Sequence, residues 1–206
     1  VDDLTRSFDL VARAQKGDEQ ALNRLFERYY DRVRRIVRMR LGPSLRTQIE
    51  DGDILQETFA AAVEAFERFE MREESSLINW LAKLAERKII AAADYHSAKK
   101  RDARREVRIS SRSPFEDSSA ISLELAGPGE APGEQAANDE LKVIVEDCVA
   151  ELPVEYRELI LLRDYAGSSW EEVAGETGRP SAEAARMMHA RALVELSKMV
   201  RARGVR

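Results

Sequence analysis

The chain has 206 residues, of which 44% are hydrophobic and 34% charged, and a formal net charge of −5. This is enough apolar material for one large or two small packed domains, and it excludes a uniformly basic, nonspecific nucleic-acid binder. Cys148 is the only cysteine, and His96 and His189 are the only histidines, so no internal disulfide can form and a Cys/His zinc centre is not expected.

No run approaches the roughly 18 apolar residues of a membrane span. No stretch reads as a signal peptide, so a cytosolic protein is expected. Charge is distributed unevenly. Residues 1–106 carry 21 Lys/Arg against 20 Asp/Glu, residues 107–138 carry 2 against 5, and residues 139–206 carry 10 against 13. Any basic surface must therefore be local.

In chain order, Asp18 can cap a first helix in which Leu22, Leu25, Phe26, Tyr29, Val33, Ile36, Val37 and Leu41 recur at helical spacing. Gly42-Pro43 predicts its end. A second helix is predicted over about Asp53 to Arg68, with Leu55, Thr58, Phe59, Ala62, Val63 and Phe66 facing inward. A third starts near Ser76, turns Leu77, Leu81, Leu84, Ala85, Ile89 and Ala92 inward, and runs toward "HSAKKRDARR". Strand signals are scarce; "EVRIS" is short and isolated.

Composition changes over residues 113–138, which hold three Pro, three Gly and five acids with no Lys or Arg. That predicts a flexible linker. Helical periodicity returns with Leu141, Ile144, Val145, Cys148 and Leu152, and Cys148 reads as a small core residue. Pro153 fits the start of the next helix and Gly167 its end. The expected fold is all-α: a helical domain over 1–106, a linker over 107–138 and a second helical domain over 139–206.

The stretch "SWEEVAGETGRPSAEAARMMHARA" has the grammar of a helix-turn-helix. Ser169 and Glu172 form an S-x-x-E capping box, Gly178 is placed to end the short helix, and Ser181 caps the next. On the second helix Ala185, Met188, Ala192, Leu196 and Met199 share one face. Glu183, Met187, Ala190 and Val194 share the other, flanked by Arg186 and Arg191, and His189 falls toward the buried side. Such a helix can enter a major groove by its N-terminal turns. From this stretch alone two readings stay open: a helix that reads DNA, as in a two-domain helix-turn-helix regulator, and an ordinary helical hairpin with no DNA role, as in a helical adaptor. An enzyme is not expected, because no Gly-rich phosphate loop, metal cluster or nucleophile–base pair is present. No cofactor is expected.

The stretch "ELPVEYRELILLRDYAGSSWEEVAGETGRPSAEAARMMHARALVEL" resembles the C-terminal promoter-binding domain, region 4, of bacterial sigma factors of the extracytoplasmic-function (ECF) group. Earlier segments match independently and in the same order. "GDEQALNRLFERYYDRVRRIVRMRL" resembles the first conserved helix, "DGDILQETFAAAVEAFERFE" the polymerase-binding helix, and "SSLINWLAKLAERKIIAAADYHSAKKRDARREV" the promoter-melting helix of region 2.

The resemblance implies partners and sites. Core RNA polymerase is bound at its β′ clamp helices by the face around Asp51, Asp53, Gln56, Glu57 and Phe59, and at its β flap by the C-terminal domain. Promoter DNA at −10 is met by Glu70, Arg72, Ser75, Ser76, Asn79, Trp80, Lys83 and Arg87, and by the basic run Lys99, Lys100, Arg101, Arg104 and Arg105. The −35 element falls to Arg179, Ser181, Glu183, Arg186, Met187, Ala190 and Arg191. An anti-sigma factor or another regulator is a further kind of partner. The physical chemistry agrees: Asp53 and Glu57, four apart on a helix, share a face, and extruding a base needs polar and stacking contacts to offset unstacking. Spacing alone makes Trp80 a core residue. Two stretches depart from the common pattern. Asp51-Gly52-Asp53 stands where Ala-Glu-Asp is frequent, and Arg186-Met187-Met188 where Lys-Ser-Arg is frequent.

Overall fold

The computed structural model describes the backbone of residues 2–72, 74–106 and 132–204, and side chains over 7–72, 76–99 and 140–204. All elements among these residues are helical: α1 (Asp2–Ala14), α2 (Glu19–Arg46), α3 (Asp51–Ala65), α4 (Glu74–Glu106), α5 (Pro132–Glu151), α6 (Val154–Ile160), α7 (Trp170–Glu176) and α8 (Ala182–Ala202). A 3₁₀ turn, Phe66–Arg68, follows α3, and a π turn, Leu161–Tyr165, continues α6. No helix among the described residues is long and apolar enough to cross a membrane.

Local chemistry explains most boundaries. The Asp18 carboxylate accepts the Ala21 N–H at 3.0 Å, capping α2. That bond, with Arg13 beside it, holds the Asp18 carboxyl below the usual carboxylate range. At Gly42 the backbone turns to φ 63°, which breaks the helical path. Helical residues nevertheless resume as far as Arg46, so Gly42-Pro43 kinks α2 where the sequence predicted an end. A Cβ at Gly42 would lie 3.5 Å from the carbonyl oxygen of Ala150, so α5 passes close to this kink.

Helix α1 was not anticipated from the sequence. Its Val11 is buried, Leu10 and Ala14 pack on the core, and Ser7 hydrogen-bonds Tyr29 at 3.4 Å. Helix α5 begins at Pro132, inside the stretch read as linker. The remainder of that stretch lies outside the described residues, and so does "EVRIS" apart from Glu106, which ends α4 as helix.

Helices α1–α4 pack around α2, and α5, α6 and α7 pack with α8. The two bundles meet along α2 and α5. Val149, Leu152, Ile160, Leu161 and Ala166 of the second bundle join the same buried apolar cluster as Leu25, Tyr29, Ile36 and Leu81 of the first. A smaller core of Leu159, Leu162, Val173, Ala174 and Ala185, with Trp170 and Met188 against it, holds the helix-turn-helix. Polar contacts reinforce the seam. Arg46 pairs with Asp147 at 2.7 Å, and Arg32 donates to the Tyr165 carbonyl at 3.0 Å. Arg40, whose side chain is only 7% exposed, pairs with Glu158 at 2.7 Å and donates to the Ala82 carbonyl.

Glu146 is the least comfortable residue of this seam. Its side chain is almost buried, with Arg35 at 3.6 Å. Burial pushes its carboxyl above the ordinary carboxylate range, more than Arg35 and Arg38 draw it down. A carboxyl raised on folding binds its proton more tightly in the folded chain, so its ionised form costs stability at neutral pH. Glu146→Gln is therefore expected to raise the melting temperature at pH 7–8. The gain should shrink as pH falls through the raised pKa and vanish below the ordinary carboxylate range. Melting curves of both proteins across pH check this; a pH-independent difference would rule out ionisation as the cause.

Candidate polymerase and nucleic-acid interfaces

The first surface lies on α3. Asp53, Gln56 and Glu57 are exposed and share its outer side, and Asp51 is half-buried at its start. Two of the acids are partnered within the chain: Asp51 lies 3.4 Å from Arg34, and Glu57 lies 3.5 Å from Lys88. Phe59 turns inward, stacked on Tyr30 at 5.7 Å and against Phe26 at 5.1 Å, so it supports this face from beneath. Val63, expected inward, is 52% exposed and adds an apolar spot to the acidic stripe. Its place beside Ala62 on the helical wheel could not separate the two; packing from α2 and α4 covers Ala62 alone.

The second surface is a cleft of about 310 Å³ between the start of α4 and α7. One wall holds Phe69 and Trp80, whose rings lie 4.8 Å apart, with Phe66 behind them at 6.1 Å from Trp80. Trp80 is thus both packed on the core and part of the cleft. The polar wall is Arg72, Ser76, Asn79 and Lys83. The Arg72 N–H donates to the Ser76 hydroxyl at 3.3 Å, and its side chain reaches Glu70 at 3.4 Å, both exposed. Across the cleft stand Glu172 and Glu176 of α7. Lys83 forms an ion pair with Glu176, and Asn79 accepts from the Ser168 hydroxyl at 3.0 Å. Two side chains expected to meet DNA are therefore held by the other bundle. Arg87 and Lys99 are exposed on α4. The side chains of Ser75, Lys100, Arg101, Arg104 and Arg105 lie outside the described residues. The two α7 glutamates were missed from the sequence, whereas Phe66, Phe69 and Trp80 stand together by the loop "EMREESS" in the sequence itself. The pairing of Phe69 with Trp80 is legible once the turn after α3 is known; the glutamates come from a distant segment.

The third surface is the helix-turn-helix. Ser169 and Glu172 make both bonds of the capping box, at 3.3 and 2.8 Å. Gly178 turns the chain at φ 64°, a left-handed conformation that a side chain would strain. The Ser181 hydroxyl accepts the Ala184 N–H at 3.1 Å and starts α8. Trp170 holds the two helices together. The Arg163 and Arg186 guanidiniums lie over its ring at 4.7 and 5.5 Å, and the His189 ring meets it edge-on at 5.2 Å. His189, buried as expected, bonds Asp164 at 2.7 Å through Nε2. Glu183, Arg186, Met187, Ala190 and Arg191 all point to solvent from α8, as does Ser181 at its cap. Arg179 is drawn aside to Glu155 at 3.1 Å.

Fold and surfaces together define an all-helical protein with a capped helix-turn-helix and a separate aromatic cleft. The family model for the ECF sigma factor matches residues 4–197. The ECF RNA polymerase sigma-E factor of Escherichia coli K12 is 33% identical over 171 residues, covering 80% of this chain and 79% of that protein. That of Haemophilus influenzae is 31% identical over the same length, with 80% of each covered. Among solved structures, CnrH in complex with the cytosolic domain of CnrY matches with a TM-score of 0.55 at 22% identity, covering 96% of this chain and 98% of that one. The chain belongs to the ECF sigma factor family.

Proposed function

We infer that the chain joins core RNA polymerase, directs it to promoters through −10 and −35 elements, and opens the −10 duplex. The observation that carries this is the family match over residues 4–197, which spans both bundles and all three surfaces. No catalysis by the chain itself is involved; it gives polymerase its choice of promoter and works in the cytoplasm. The sigma-E relatives are named as RNA polymerase factors, and CnrH is complexed with the cytosolic domain of another protein. A protein partner that restrains this chain belongs to the same reading.

Each surface takes one role. The α3 stripe of Asp53, Gln56, Glu57 and Val63 meets polymerase, its carboxylates suiting a basic partner. In the cleft, Phe69 and Trp80 offer stacking surfaces to an unpaired base, and Arg72, Ser76 and Asn79 offer polar contacts. Together these offset the few kcal/mol of unstacking. Lys83 suits a phosphate. A strand entering the cleft takes the places of Glu176 and Ser168, one acidic oxygen replacing another at Lys83. Helix α8 enters the major groove at −35 by its N-terminal turns.

The test starts with purified core polymerase. Run-off transcription from genomic fragments should become promoter-specific when the chain is added. Asp53→Arg with Glu57→Arg should weaken core binding by at least about tenfold, because like charges then face each other. Helical content by circular dichroism should stay normal. Unchanged affinity would remove the α3 stripe from the interface. A wild-type chain that bound promoter DNA but never core polymerase would favour a regulator acting alone.

A further inference from the structure

The outward side of α8 begins with Glu183, Arg186, Met187 and Ala190, followed by Arg191 and Val194. Its first two charges satisfy one another. Arg186 donates to Glu183 at 2.7 Å while its guanidinium lies 5.5 Å from the Trp170 ring centre. An arginine held this way is bent back along the helix. Extending it to grip guanine O6 and N7 would forfeit both the ion pair and the ring contact. Glu183 in turn commits one carboxylate oxygen to that arginine.

The centre of the exposed face is apolar instead. Met187 is 53% exposed and Val194 58%, with exposed Ala190 between them. The apolar feature on the floor of the major groove is the C5-methyl of thymine. Methionine, unbranched and polarizable, adapts to such a contact. Arg191, exposed beside Ala190, puts positive charge at the edge of the strip, where a groove presents its phosphates. An apolar centre with a cationic flank complements methyl groups on the floor and anionic walls.

We propose that α8 reads thymine methyl groups through Met187 and Ala190, with Arg191 on a neighbouring phosphate and Arg186 retained as a brace on Trp170. This rests on the −35 reading above and names the chemistry that is read there. It differs from recognition of guanine by arginine in one decisive respect: its specificity disappears when a methyl group is removed and every hydrogen-bonding group is kept.

Deoxyuridine makes that change. Holoenzyme assembled from the full chain and core polymerase first selects −35 duplexes from a randomised pool. Each thymine of the selected site is then replaced by deoxyuridine and binding is measured again. At one or two positions the wild-type holoenzyme should lose about three- to five-fold, the value of unburying one methyl-sized group. Met187→Ala should bind thymine and deoxyuridine DNA alike at one of those positions, and Arg186→Ala should leave base preference there unchanged. Indifference of the wild type to every replacement would overturn the proposal. So would a selective loss of guanine discrimination in Arg186→Ala. Failure to enrich any −35 sequence, by a holoenzyme that still initiates, would overturn the −35 reading itself.

Discussion

Arg40→Ala is expected to destabilise the chain by about 3 kcal/mol, the scale for breaking a buried ion pair from one side. The guanidinium lies under the seam between the bundles, only 7% exposed, with Glu158 at 2.7 Å and Glu86 at 3.6 Å. It also donates to the Ala82 carbonyl of α4. Removing it leaves Glu158 with a partly desolvated charge, takes from the Ala82 carbonyl the donor it has beyond its own helix, and opens space between α2, α4 and α6. At this chain length the melting temperature should fall by roughly 6–12 °C. Replacing both partners, Arg40→Met with Glu158→Met, should recover only part of the loss: the pair itself leaves no stranded charge, but the largely buried Arg157, 3.9 Å from Glu158, loses that carboxylate. Urea melts of the full chain measure both. A single variant within about 1 kcal/mol of wild type would mean that the pair is solvated and that the seam does not depend on it.

The second large effect is expected at Trp170. Its ring fills the space between α7 and α8, packed on the small core of Leu159, Leu162 and Val173. Arg163, Arg186 and His189 surround it. Trp170→Ala should cost about 3 kcal/mol, at the low end for a large-to-small change because the ring is not fully buried. The same change removes the ring that seats α8 against α7 and that Arg186 braces. Binding to −35 DNA by the holoenzyme should therefore fall more than core binding does. Trp170→Phe, which keeps a ring there, should restore most of both. Equal losses in core and −35 binding would show that the variant has merely unfolded; wild-type −35 affinity would show that this ring does not position α8.

The local grammar of the chain was largely legible. The capping box at Ser169 and Glu172, the turn at Gly178 and the cap at Ser181 each depend on residues within three or four positions, so the sequence contains the whole interaction. The inward stripe of α2 was legible for the same reason. Contacts between distant segments were not. Arg40 meets Glu158 across 118 positions and Lys83 meets Glu176 across 93, and neither pair leaves a periodic trace. Val63 shows the limit within one helix. A wheel gives the direction of a side chain, whereas its burial depends on which neighbour arrives there.

The π turn that extends α6 has a consequence for chain length. Four successive residues are buried there. Ile160 and Leu161 enter the core shared by the bundles, while Leu159 and Leu162 enter the core of the helix-turn-helix. The Ala166 N–H reaches back five residues to the Leu161 carbonyl at 2.8 Å, so the turn holds one residue more than an α-helix of equal rise. Deleting a residue between Leu161 and Tyr165 would let the segment close as a regular α-helical turn of nearly equal rise and rotation, leaving the path into α7 and α8 almost unchanged. The widened turn thus sets which core each side chain enters rather than where the chain leads: an apolar exchange keeps both cores filled, while a one-residue gap leaves the following helices in place and changes which side chains fill the two cores.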